Sequence, residues 1–119
     1  MKGYQMTEAI EITTFKLAKG ITVEEFVADN ADINEWLNIQ PGFQSRRISE
    51  LDGEIVDILI WDSADYAREA ADRIMEETAH SLVHKAINQR SVSWRVAEVR
   101  QHIRSTAGGG IKTKDAVLA

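Results

Sequence analysis

Residues 50–67 read Glu-Leu-Asp-Gly-Glu-Ile-Val-Asp-Ile-Leu-Ile-Trp-Asp-Ser-Ala-Asp-Tyr-Ala. Asp52-Gly53 is a hairpin signal, because a tight primed turn needs positive φ and these two residues tolerate it. Glu54 to Trp61 is mostly Ile, Val and Leu, the pattern of a strand buried on both faces. Its alternation puts Val56, Ile58 and Ile60 on one face and Ile55, Asp57, Leu59 and Trp61 on the other. Asp57 is the one polar residue inside the run. Ser63 can cap a helix that begins near Ala64.

Working outward, Phe43 to Leu51 is the strand that enters the hairpin, with Arg46 and Arg47 on opposite faces. Before it, Thr22-Val-Glu-Glu25 is a capping box. It opens a helix expected to run to about Ile39, with Val23, Phe26, Val27, Asn30, Ile33 and Leu37 in one stripe and Trp36 at its edge. Pro41-Gly42 ends that helix. Glu8 to Leu17 alternates as a first strand, Ile10 and Ile12 on one side and Glu11, Thr13 and Phe15 on the other.

Downstream, Ala64 to Glu77 is a helix with a small-residue stripe of Ala67, Ala70 and Ala71 leading to Ile74 and Met75, suited to close approach on a sheet. Thr78 is expected to cap a continuation from Ala79 to Ile87. Ser91 to Gln101 is a fourth strand, with Val92, Trp94 and Val96 on one face. Residues 102–119 contain Ser-Thr-Ala-Gly-Gly-Gly and are expected to be a flexible tail. Residues 1–6 are expected to be a short extension of a single domain at 7–101.

The order β-α-β-β-α-β is the ferredoxin-like arrangement, α+β, one four-stranded antiparallel sheet with both helices on one face. The second sheet face would carry Phe15, Leu59 and Trp61, or their alternates on the opposite register. Apolar residues there need cover that one short chain cannot supply, so a two-fold homodimer is expected, sheet against sheet.

Composition narrows the function classes. The 119 residues carry a net charge of -5, which argues against a nucleic-acid partner. There is no Cys, so disulfides, thiolate metal sites and Cys nucleophiles are excluded. No apolar run approaches the ~20 residues of a membrane span, and the N-terminus lacks a signal-peptide apolar region. A cytoplasmic location is expected. Gly108 to Gly110 follows no βαβ start and is not a phosphate loop.

Over residues 7–101 the chain resembles the dimeric α+β barrel superfamily, and within it the antibiotic-biosynthesis-monooxygenase-like domains. The likeness is carried by Thr14-Phe15-Lys16-Leu17 leading into Gly20, by Gln40-Pro41-Gly42-Phe43, by the Asp-Gly hairpin and by Trp61-Asp62-Ser63. It implies a ligand pocket between sheet and helices or within the barrel. It also implies a monooxygenase-like enzyme acting on an aromatic or polyketide-type compound without a tightly bound cofactor. The alternatives are a non-catalytic small-ligand-binding or stress-response dimer of the same fold, and a purely structural dimerisation domain. The haem-degrading branch of the superfamily fits less well. His80 stands where its haem ligand would, but its helix Trp is replaced by Ala70 and its first-strand Asn has no counterpart.

Asp57 and His80 are the candidate catalytic residues, either one serving as the base that makes a substrate carbanion. Asp57 has two readings: a pocket carboxylate whose pKa burial raises, or a structural ion pair with Arg46, Arg47 or Arg95 at the dimer interface. Trp61, Trp94, Glu11 and Arg46 are the candidate substrate contacts. Trp61 and Trp94 would stack an aromatic ring, unless they simply pack the interface. His80 and His84, spaced i, i+4, extend a row begun by Glu76. Without a third distant ligand that row is a solvated helix face rather than a metal site.

Overall fold

The computed structural model describes residues 6–107. Asp52 and Gly53 take φ of 51° and 82°, and this two-residue turn joins Leu51 directly to its cross-strand partner Glu54. It links β2 (Phe43–Leu51) to β3 (Glu54–Trp61). β1 (Ala9–Phe15) lies on the other side of β3, and β4 (Ser93–Glu98) pairs with β1. The sheet is antiparallel with order β2-β3-β1-β4, the ferredoxin-like order.

α1 (Val23–Asp29) begins at the capping box as read. Thr22 accepts from the Glu25 amide, and the Glu25 carboxylate accepts from the Thr22 amide. The helix does not continue unbroken to residue 39. It yields at Asn30 to α2 (Ala31–Asn38). The cause is local. Asn30 Nδ2 donates to the Phe26 carbonyl at 2.8 Å, the acceptor that its own backbone N–H would take in a continuous helix.

α3 (Ala64–Glu77) has the expected bounds, and Ser63 Oγ accepts from the Tyr66 amide. Thr78 ends this helix instead of capping another: its hydroxyl donates to the Ile74 carbonyl at 2.6 Å. Only α4 (Val83–Ala86) is helical in the expected continuation. Beyond it the chain pairs with the end of the first strand, through a Leu17–Ile87 bridge and bonds from Ala18 N to Ala86 O and Asn88 N to Lys16 O. That long-range pairing overrides local helix propensity.

The helices cover the sheet face that carries Phe15, Ile55, Leu59 and Trp61, which join Phe26, Ile33, Leu37, Ala67 and Ala70 in one core. The expectation that placed these residues on an uncovered face is corrected in favour of its alternate register. The other face presents Ile10, Ile12, Val56, Ile58 and Ile60, all half-buried. No helix among the described residues is long and apolar enough to cross a membrane. Residues 1–5 and 108–119, which include most of the expected extension and tail, lie outside the described residues.

Candidate active site

The sheet and the helices do not meet everywhere. Between them lies a cavity of about 370 Å³, within the usual range for a small-molecule site. The side chains of α3 explain the space. Ala70 and Ala71 form its wall where larger residues would have filled it. The small-residue stripe therefore does two jobs, packing closely at Ala67 and leaving room one turn later.

Strand alternation delivers the polar groups. Glu11 of β1, Arg46 of β2, Asp57 of β3 and Trp94 of β4 all face the helices, and all line this cavity with Trp61. Five of the six candidate site residues thus converge. His80 does not. It is exposed in the turn after α3 and is absent from the cavity wall, because the segment expected to be helical there is not. For the same reason His80 and His84 do not share a helix face. Among the described residues no cluster of three or more His, Asp or Glu side chains is placed to hold a metal ion. A haem ligand at His80 would have to reach a cavity from which His80 is excluded.

Asp57 meets an arginine. Arg46 Nε donates to Oδ1 at 3.0 Å and Nη2 to Oδ2 at 2.7 Å, a bidentate pair. Arg46 Nη1 donates further to Asn34 Oδ1 at 2.8 Å. Both side chains are about nine-tenths buried. The pair lies within one chain, in the cavity wall, and not across a dimer interface as the structural reading supposed.

Glu11 is held differently. Its Oε1 accepts from Trp61 Nε1 at 2.8 Å and its Oε2 from Trp94 Nε1 at 2.6 Å. Indole N–H groups stabilise the anion without neutralising it. Burial pushes the Glu11 carboxyl above its ordinary value of 4.5, and the charge of Asp57 pushes the same way; the two indoles and Arg46 oppose the shift. The two tryptophans are therefore cavity walls with their polar edges spent on one carboxylate.

Three further wall residues were not among the candidate site residues, and one of them, His84, corrects its reading as part of a solvated helix face, since it is half-buried in the wall. Trp36, on the helix side, donates from Nε1 to Glu77 Oε1 at 2.9 Å and has the Arg73 guanidinium 5.7 Å from its ring centre. His84 Nε2 lies 3.0 Å from both the Thr78 hydroxyl and the Thr78 carbonyl. That hydroxyl already gives its hydrogen to Ile74, so His84 Nε2 carries the proton and Nδ1 is the acceptor nitrogen in the neutral ring. Asn30 is fully buried in the wall, and its Oδ1 has no hydrogen-bond partner. A polar residue inside the apolar stripe of a helix was the signal that could have marked it.

No protein-family model matches this chain, and no curated protein does. Among solved structures it resembles SnoaB, a cofactor-independent oxygenase from Streptomyces nogalater, at 18% identity and a TM-score of 0.64, over 83% of this chain and 99% of that one. It is similar to a monooxygenase from ActVA-Orf6 of Streptomyces coelicolor, solved with the ligand nanaomycin D, at 19% identity and a TM-score of 0.63, over 85% and 95%. A dimeric ferredoxin-like protein from an uncultured marine organism matches at 17% identity and a TM-score of 0.60, over 83% and 94%. At these identities the likeness establishes the fold alone, a ferredoxin-like α+β sheet.

Proposed function

We propose that this chain is a monooxygenase-like enzyme that oxidises an electron-rich aromatic or polyketide-type compound with dioxygen, using its own side chains and no tightly bound cofactor. The observation that carries the reading is Glu11, a buried carboxyl with a raised pKa whose hydrogen bonds come from two indoles in an apolar cavity. Each of its oxygens keeps a second lone pair, so it can accept a proton from a bound ligand. Asp57, one of the two bases expected from sequence, is the weaker choice because its bidentate partner is the Arg46 cation, whereas Glu11 is held only by neutral indoles.

An anthrone-type substrate fits this chemistry. Glu11 removes a proton from the acidic CH2, leaving a carbanion delocalised into the ring system. The carbanion passes electrons to dioxygen and a C–O bond forms. The O–O bond then breaks as the second hydrogen leaves the carbon. One oxygen stays as the ketone, the other departs as water, and four electrons move from carbon to oxygen. Arg46, fixed by Asp57 and Asn34, supplies positive charge to the wall where negative charge develops. Trp94, which keeps part of its indole exposed, is the wall residue that can meet the ring, while the fully buried Trp61 serves to hold Glu11.

The cofactor-independent oxygenase and the nanaomycin-bound monooxygenase noted above support this reading at the level of fold. The half-buried isoleucine face supports a homodimer. The competing reading is a non-catalytic small-ligand-binding or stress-response dimer. It draws on the completeness of the Arg46–Asp57 pair, which leaves that carboxylate nothing to do. Oxygen uptake with anthrone separates the two. The enzyme reading expects one dioxygen consumed per ketone formed, with Glu11→Gln slower by about 10²–10⁴-fold. Binding without oxygen consumption would favour the competing reading.

A further inference from the structure

His84 is the titratable group of the cavity wall that the proposed chemistry leaves unused. One nitrogen of its ring is spoken for, since Nε2 donates to the Thr78 carbonyl at 3.0 Å. Nδ1 is left with a lone pair and no hydrogen-bond partner among the described residues. Nor is Nδ1 sealed. Among the described residues, the unpartnered side-chain atoms without accessible surface are Asn30 Oδ1 and Gln40 Oε1, and His84 is only half-buried. The wall also shows where the cavity opens. Its exposed members are Met75 near the end of α3, Gln89, and Val92 and Trp94 around the start of β4. His84 is tied to this rim, because Gln89 Nε2 donates to its carbonyl at 3.0 Å. A free, accessible acceptor nitrogen beside a largely apolar opening is placed to meet a donor on the ligand.

We infer that His84 Nδ1 accepts a hydrogen bond from a neutral hydroxyl on the ligand, so that His84 sets specificity and the cavity selects hydroxylated aromatics over their ethers and parent hydrocarbons. The inference rests on the proposed function only in taking this cavity as the ligand site. His84 stands on α4 and Glu11 on β1, so a bound ring has an acceptor on each side of the cavity. The donor is a hydroxyl rather than an ammonium, because Met75, Ile87, Val92 and Trp94 offer no strong acceptor for the remaining N–H groups of a cation. An ether oxygen in the same place would meet the Nδ1 lone pair with its own. The Thr78 carbonyl sets the sign of this choice by fixing the tautomer: a neutral ring with its proton on Nδ1 would accept the ether instead. A site built to bond a hydroxyl rejects the analogue that lacks it far more strongly than a purely apolar site can.

The test is equilibrium dialysis of beta-naphthol, its methyl ether and naphthalene against the full chain. The wild type should bind beta-naphthol at least about fivefold more tightly than the ether. His84→Phe should bring the two within about twofold while leaving naphthalene within about threefold of its wild-type affinity. Should His84→Phe not fold, the nitrogen NMR signal of His84 Nδ1 in the wild type replaces it. That signal should move upfield with beta-naphthol and stay unmoved by the ether. A preference that survives His84→Phe would assign the hydroxyl to Glu11 and overturn the inference. Equal binding of naphthol and ether, a His84 signal indifferent to naphthol, or no binding of any probe would each overturn it too. None of these readings uses oxygen chemistry. Hydroxyl-selective binding lost in His84→Phe, without oxygen uptake, would refute the proposed enzyme and leave this inference standing. Turnover of anthrone without hydroxyl selectivity would do the reverse.

Discussion

At Glu11, burial and hydrogen bonding act in opposite directions, and burial prevails. The consequence for stability has a definite sign. The folded chain holds this proton to higher pH than the unfolded chain does. Glu11 therefore contributes fully below its ordinary value of 4.5, and the contribution is lost as pH rises through the raised folded value. Urea midpoints measured across that window should fall with pH in the wild type, and Glu11→Gln should remove this part of the slope. Asp57 behaves as half of a pair. Asp57→Asn leaves the Arg46 charge buried beside a neutral group and should lower unfolding stability by about 3–5 kcal/mol. The double replacement Arg46→Met with Asp57→Leu should recover most of that loss in the same urea experiment. If the single and double variants are equally unstable, the ion pair is not what the wall depends on.

Local signals explain why some elements could be read from sequence. The Asp52-Gly53 turn, the Thr22–Glu25 box and the Ser63 cap each depend on residues within three positions of one another, so their chemistry is complete in the sequence. Alternation also brought Glu11, Arg46, Asp57, Trp61 and Trp94 under suspicion, but a period of two is symmetric. It divides each strand into faces without saying which face the helices take. The break at Asn30 depends on a side chain competing with the backbone. The lost helix around His80 depends on Leu17 meeting Ile87, a contact 70 positions distant in sequence. Neither is written in local propensity. One junction offers a sharp test. Gly42 has φ of 82°, and a Cβ there would overlap the Tyr66 side chain, whereas Gly53 has the same φ with open space around it. Gly42→Ala should cost at least about 2 kcal/mol through backbone strain plus overpacking, and Gly53→Ala only about 1–2 kcal/mol, by thermal or urea unfolding. Similar losses at both sites would mean that the Tyr66 contact adds nothing.

For the molecule as a whole, the fold places its chemistry on one side of the sheet and an apolar surface on the other. Ile10, Ile12, Val56, Ile58 and Ile60 are half-buried in the single chain. A two-fold partner laid on this face would complete their burial and leave each cavity intact within its own subunit. Light scattering should then give a mass near twice the 13.4 kDa of one chain, and Ile58→Lys with Ile12→Lys should halve it. A monomeric wild type would remove the barrel from the account without touching the cavity. The central claim is that Glu11 is the base for oxygen chemistry inside that cavity. The most direct measurement is kcat/KM for anthrone-dependent oxygen uptake as a function of pH. The account predicts a rate that rises with pH through the raised Glu11 value, above 4.5, and a Glu11→Gln variant that is slow with that rise abolished. A Glu11→Gln variant with the wild-type rate and the wild-type pH profile would contradict it.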